Sequence, residues 1–95
     1  MLVVTMEARV KPAKDVLFRD LGSEAVLLDL ASGSYFGLDE VGTRIWQLIT
    51  AGETLAATVT TLAAEYDAAA ERLQADLLAL IDELVTSKLL LLADD

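Results

Sequence analysis

The chain has 95 residues, 55% of them hydrophobic, and a formal net charge of −9 from 16 acidic and 7 basic side chains. That is enough apolar material for the core of one modest domain, and the charge disfavours DNA, RNA and anionic membrane, all of which reward clustered Lys and Arg. There is no Cys and no His, which excludes a disulfide framework and a thiolate metal site and removes the commonest general base.

Taken in chain order, the first residues alternate. Leu2, Val4, Met6, Ala8 and Val10 interleave with Val3, Thr5, Glu7, Arg9 and Lys11, a period of two that predicts a strand over 2–10 ending at Pro12. Glu7 interrupts the apolar run and no basic stretch precedes it, so the segment does not read as a signal peptide. No apolar run approaches the ~20 residues needed to cross a bilayer. These features predict a soluble, cytoplasmic protein.

Val16 to Leu21 is rich in strand formers, and Gly22-Ser23 supplies a tight turn into a second strand, Glu24 to Leu30. In that strand Val26, Leu28 and Leu30 share one face, and Ala25, Leu27 and Asp29 the other. Ala31-Ser32-Gly33 turns the chain again, into Ser34-Tyr35-Phe36-Gly37-Leu38. Short connections predict an antiparallel meander.

Helical signals follow. Asp39 fits an N-cap, with Glu40 at the positive end of the helix dipole. Val41, Ile45, Leu48 and Ile49 fall at i, i+4, i+7 and i+8, and Gly52 stops the helix. Thr54 fits the cap of a second helix striped by Leu55, Val59, Leu62, Ala63 and Tyr66. Asp67 fits the cap of a third, over 68–86, striped by Leu73, Leu77, Leu80, Ile81 and Leu84. Leu89 to Leu92 then reads as a short extended tail packed on the body. Three strands alone bury little, so the helices must cover one face of the sheet. The class is α+β, and two short-linked helices behind an N-terminal three-stranded antiparallel sheet resemble a winged helix-turn-helix. No linker or repeat divides the chain, so 1–95 reads as one domain with its core over 15–92.

Little here can carry catalysis. The adjacent pairs Asp39-Glu40, Asp82-Glu83 and Asp94-Asp95 do not converge, because neighbouring helix positions point about 100° apart. Asp67 and Glu71 could at most offer two oxygens to a hard cation, without a shaped loop. Gly33, Gly37 and Gly42 do not match a phosphate-binding loop. No catalytic residue, metal or cofactor is expected. As a recognition helix, the third would present Glu71, Asp76, Asp82 and Glu83 against Arg72 and Lys88, which would repel phosphate.

What remains is the strand at 34–38. If the sheet follows chain order it is an edge, and edges are usually blunted by charge or Pro. This one has neither, so its backbone could accept another strand, with Gly37 easing close approach. The third helix and its small residues Ala69, Ala70, Ala75 and Ala79 would floor the adjoining groove. The alternative from the residues alone is a short edge whose Phe36 and Leu38 are simply core. Trp46 is expected to close the core between sheet and helices.

The run from Val16 to Leu90 resembles the PqqD-like family, the peptide recognition elements of ribosomally made (RiPP) natural-product pathways. The segments that carry the likeness are Asp15 to Leu21, Glu24 to Leu30, Ser34 to Trp46, Leu62 with Glu65-Tyr66-Asp67, and Asp76 to Leu80 with Leu84. The Tyr35-Phe36-Gly37-Leu38 to Ile45-Trp46 stretch is the most specific. The resemblance implies a domain that binds the leader of a precursor peptide as an added strand and delivers it to a separate enzyme. Carried over, the peptide-binding residues are Ser34, Tyr35, Phe36, Gly37, Leu38, Leu73, Asp76, Leu77 and Leu80, with Asp76 bonding a donor on the peptide. A Pro at position 36 or 38 should abolish binding if that residue's N–H faces the added strand. As a free-standing domain it looks most like the discrete leader-binding protein of lasso-peptide systems, which works with a leader peptidase. It looks less like the chaperone of pyrroloquinoline quinone biosynthesis, which serves a radical enzyme. Rival readings are a winged-helix transcription regulator and a self-pairing structural module.

Overall fold

The structure, a computed structural model, describes residues 5–93. Five strands and three helices follow one another: β1 (Arg9–Pro12), β2 (Val16–Asp20), β3 (Ala25–Asp29), β4 (Tyr35–Leu38), α1 (Glu40–Thr50), α2 (Leu55–Glu65), α3 (Ala70–Thr86) and β5 (Leu90–Ala93). The α+β class and the three-stranded wing ahead of three helices are as expected. The strand count is larger, because β1 and β5 form a second sheet of their own.

The wing is an antiparallel sheet in the order β2-β3-β4. Leu17 pairs with Leu28, and Leu28 with Tyr35. The Leu21 N–H donates to the Glu24 carbonyl across the Gly22-Ser23 turn. Gly22 has φ +105° there, a conformation that favours glycine. At the next turn the Asp29 carboxylate accepts from the Ala31 N–H and the Ser32 hydroxyl, which closes the loop locally. Ala25, Leu27 and Leu38 face the helices and are buried. The larger apolar set faces the other way: Leu28 is half-buried, and Leu17 and Tyr35, paired to either side through it, are 52% and 77% exposed.

The N-terminal strand is later and shorter than its alternation suggests. Residues 2–4 lie outside the described residues, and 5–8 form a turn and a loop. That loop has a job: the Ala8 and Met6 carbonyls accept the N–H groups of Leu55 and Ala56, the first two residues of α2. A helix start carries orphan donors, and here another part of the chain satisfies two of them. β1 pairs antiparallel with β5, Arg9 opposite Ala93 and Pro12 opposite Leu90. The expected C-terminal tail is thus a strand, and its partner is the N-terminal segment.

Capping follows the sequence at two helices and departs from it at the third. Asp39 accepts from the Gly42 N–H at 2.7 Å and Thr54 from the Ala57 N–H at 3.1 Å. α3, however, begins at Ala70 behind Ala69, with no side-chain cap. Asp67 is not its cap; it stands two residues too early, in the α2–α3 turn. The far end of α3 is a Schellman motif: the Leu89 N–H donates to the Leu84 carbonyl and the Lys88 N–H to that of Val85. Lys88 occupies the left-handed position at φ +64°.

One apolar cluster joins all these elements, from Val10 through Leu27, Ile45, Leu62 and Leu77 to Leu90. Trp46 is buried and stacks on Phe18 of β2, ring centroids 6.4 Å apart and planes 8° from parallel. The Trp closes the sheet–helix core as expected. No helix among the described residues is long and apolar enough to cross a membrane.

Candidate functional site

β4 is an edge: β3 pairs with one side, and no described strand pairs with the other. The register settles which of its backbone groups are free. Asp29 N–H donates to the Ser34 carbonyl, and residues pair in order back from there, Leu27 with Phe36 and Ala25 with Leu38. Hydrogen-bonded pairs alternate in an antiparallel ladder. Phe36 and Leu38 therefore spend their backbone groups on β3, and Tyr35 and Gly37 aim theirs outward. This revises the expectation about Pro: the residues whose N–H faces an added strand are 35 and 37, not 36 and 38.

Beside this edge lies a groove of about 780 Å³. One wall is β4, at Phe36, Gly37 and Leu38. The opposite wall is α3, at Leu73, Asp76, Leu80 and Glu83, four positions that share one helix face. The floor is α1, at Val41, Gly42 and Ile45, and the mouth is the α2–α3 turn, at Tyr66, Asp67 and Ala68. The floor differs from the expected one: Ala69, Ala70, Ala75 and Ala79 are all exposed and lie outside the groove. Gly42 fits that floor closely. A Cβ there would stand 3.1 Å from the Asp39 carboxylate oxygen that caps the helix.

The expected site residues divide three ways. Phe36, Gly37, Leu38, Leu73, Asp76 and Leu80 meet in the groove. Ser34 and Tyr35 border a smaller cavity of about 190 Å³, with Asp29 and Ser32 from the turn and Ser87 and Leu89 from the end of α3. β4 and α3 consequently run in opposite directions along the cleft. Leu77 is fully buried in the core and reaches neither cavity. The α1 floor and Tyr66 were missed by sequence reasoning. Their helical stripes marked them as core, and nothing in a stripe shows which members lie at an opening.

Electrostatics sharpen one corner. Arg44 of α1 grips Glu65 at the end of α2 through two bonds, Nε to Oε1 at 2.8 Å and a second guanidinium nitrogen to Oε2 at 2.7 Å. Each holds the other charged: the hydrogen bond to Arg44 lowers the Glu65 pKa, and the bond to Glu65 raises that of Arg44. Burial raises the Tyr66 phenol next door, helped by Glu40 and Glu65. The bidentate pair ties α1 to the turn that forms the groove's mouth. Among the described residues, no group of three or more His, Cys, Asp or Glu could hold a metal ion.

The geometry has known counterparts. The family described as Coenzyme PQQ synthesis protein D (PqqD) matches residues 24–90. Two solved structures superpose closely. "TbiB1 in Complex with the TbiA(beta) Leader Peptide" aligns at TM-score 0.81 and 35% identity over 90% of this chain and 99% of that one. "Lasso peptide synthetase B1 complexed with the leader peptide" aligns at TM-score 0.82 and 25% identity over 88% and 99%. No curated protein matches the chain.

Proposed function

The chain belongs to the PqqD family, and on that premise we propose that it binds the leader segment of a ribosomally made precursor peptide as a fourth strand on β4 and presents it to a separate processing enzyme. The observation that carries this reading is the outward-facing backbone of Tyr35 and Gly37 along a groove of about 780 Å³. Strand addition draws its affinity from main-chain hydrogen bonds and its selectivity from pockets for alternate side chains. The groove supplies both, with Leu73, Leu80 and Phe36 as apolar contacts and Asp76 as a polar one. The protein acts by binding, not by catalysis.

Both solved relatives carry leader peptides, and one is a lasso peptide synthetase component. Those relatives favour a lasso pathway, and the receiving enzyme in this proposal is a leader peptidase. Delivery to the radical enzyme of pyrroloquinoline quinone synthesis is the second reading, since the family's description names that pathway. The test is an anisotropy titration with fluorescein-labelled leaders of the precursors encoded beside this chain, with Trp46 emission as a check on folding. Saturable binding by one of them is expected. Binding by none would remove the proposal. A DNA retardation assay at physiological salt should show no shift.

A further inference from the structure

We propose that the groove selects leaders that bring a Lys or Arg side chain to the Leu38 end of β4, and that Asp76 is the residue that reads it. This rests on the leader-binding reading above. Four carboxylates line the groove, Asp39, Asp67, Asp76 and Glu83, against one guanidinium, Arg72. Among the described residues the only ion pair is Arg44–Glu65, so none of these five is ion-paired with another described residue. A concave site lined mostly by one sign of charge draws the opposite sign to it, and here it sits on a chain of net charge −9.

The four carboxylates are not equivalent. Asp39 is committed to the α1 cap through its bond to the Gly42 N–H. Asp67 belongs to the turn at the mouth. Asp76 and Glu83 stand on the groove-facing side of α3, alternating with Leu73 and Leu80. Asp76 lies between those two leucines and, among the described residues, makes no hydrogen bond to another side chain. An aliphatic stem laid across Leu73 or Leu80 would bring its cationic head to Asp76, the arrangement that suits Lys and Arg. Asp76 and Glu83 are about 10.5 Å apart along the helix axis, at 1.5 Å per residue. Same-face residues of a strand recur at about 6.7 Å or 13 Å, so one regular strand does not place a side chain squarely against both. The Asp76 end, where Asp39 and Asp67 add to the field and outnumber Arg72, is the better of the two.

The test is a positional scan. Each residue of the TbiA(β) leader peptide, and of the leader encoded beside this chain, is replaced in turn by Lys and by Glu. Binding is measured to the wild-type chain, to Asp76→Lys and to Asp82→Lys, a reversal of the same size on α3 outside the groove. At one position the wild type should prefer Lys over Glu by at least about tenfold, because like charges brought together at an interface are penalised. Asp76→Lys should invert the preference at that position alone, and Asp82→Lys should leave it as in the wild type. A flat scan, or an Asp76→Lys chain that weakens all peptides equally, overturns the inference and leaves leader binding standing. If no peptide binds the folded protein, the leader-binding reading falls and this inference with it.

Discussion

The three-stranded wing has two edges, and they stand in different surroundings. At the β2 edge Phe18 is stacked on Trp46 and the strand ends in the charged pair Arg19-Asp20. At the β4 edge the strand is uncharged, and α3 stands across a groove from it. Both edges leave backbone groups unpaired. The difference lies in the surroundings. An open edge becomes a docking site when a second wall offers side chains a place to go, and when its own residues carry no charge to repel a strand. At β2 the ring that could have lined a groove is spent on tying the sheet to α1.

The strongest way to break this contrast is at Gly37. Gly37→Pro removes an outward N–H without touching the pairing with β3, so leader binding should fall below detection by anisotropy while the thermal midpoint changes little. Phe36→Pro, one residue away, should unfold the edge instead, because its N–H belongs to the β3 ladder. Equal effects of the two on folding would contradict the register.

The β2 edge is tested through its aromatic pair. Trp46→Ala should cost about 3–5 kcal/mol in urea denaturation followed by circular dichroism. The milder Phe18→Leu should cost about 1 kcal/mol, the value of the stacking, and leave leader affinity within about twofold. A large loss of affinity there would mean that the two edges are not separate.

Asp39 joins β4 to the floor of the groove. Asp39→Ala should cost about 1 kcal/mol, and Asp39→Ser much less, since either hydroxyl or carboxylate oxygen can cap. Lys88→Gly should stabilise by up to about 1 kcal/mol, because the left-handed position penalises a side chain. The smallest effect is expected from pH. Glu65 is held below its ordinary pKa chiefly by its bond to Arg44. Its contribution is therefore complete above the ordinary carboxylate range and is lost as pH falls through the lowered folded value. A thermal-melt series from pH 7 down to pH 3 should show this slope in the wild type and a smaller one in Glu65→Gln.

Local signals were legible wherever one residue type did one job. Asp39 and Thr54 cap as their spacing suggests, Gly22 and Gly33 turn the wing at positive φ, and the α3 stripe is buried at Leu73, Leu77, Ile81 and Leu84. Asp67 misled because an acidic residue ahead of an apolar stripe looks the same in a turn as at a cap. The alternation of residues 2–10 overlaps β1 only at Arg9 and Val10 and did not reveal its partner, since pairing with β5 joins residues at opposite ends of the chain. In β3 the alternation separated two faces but not which one is core: the side with Asp29 contains the buried Ala25 and Leu27, because the helices cover that face. The edge at β4 was legible from the chain order of the meander, and its openness from its lack of charge. Its outward residues needed the register, and the groove's floor needed the tertiary packing of α1.

The shortness of β4 has a kinetic meaning. Two residues, each offering one N–H and one C=O, give a docked strand at most four backbone hydrogen bonds. At about 1 kcal/mol net apiece, these fall short of or barely match the roughly 4–15 kcal/mol that association costs in lost motion. Residence time is therefore set by the side chains in the groove. On the proposed reading a leader with the right ones would be held, any other strand would leave quickly, and so short a grip would let go without the wing having to unfold.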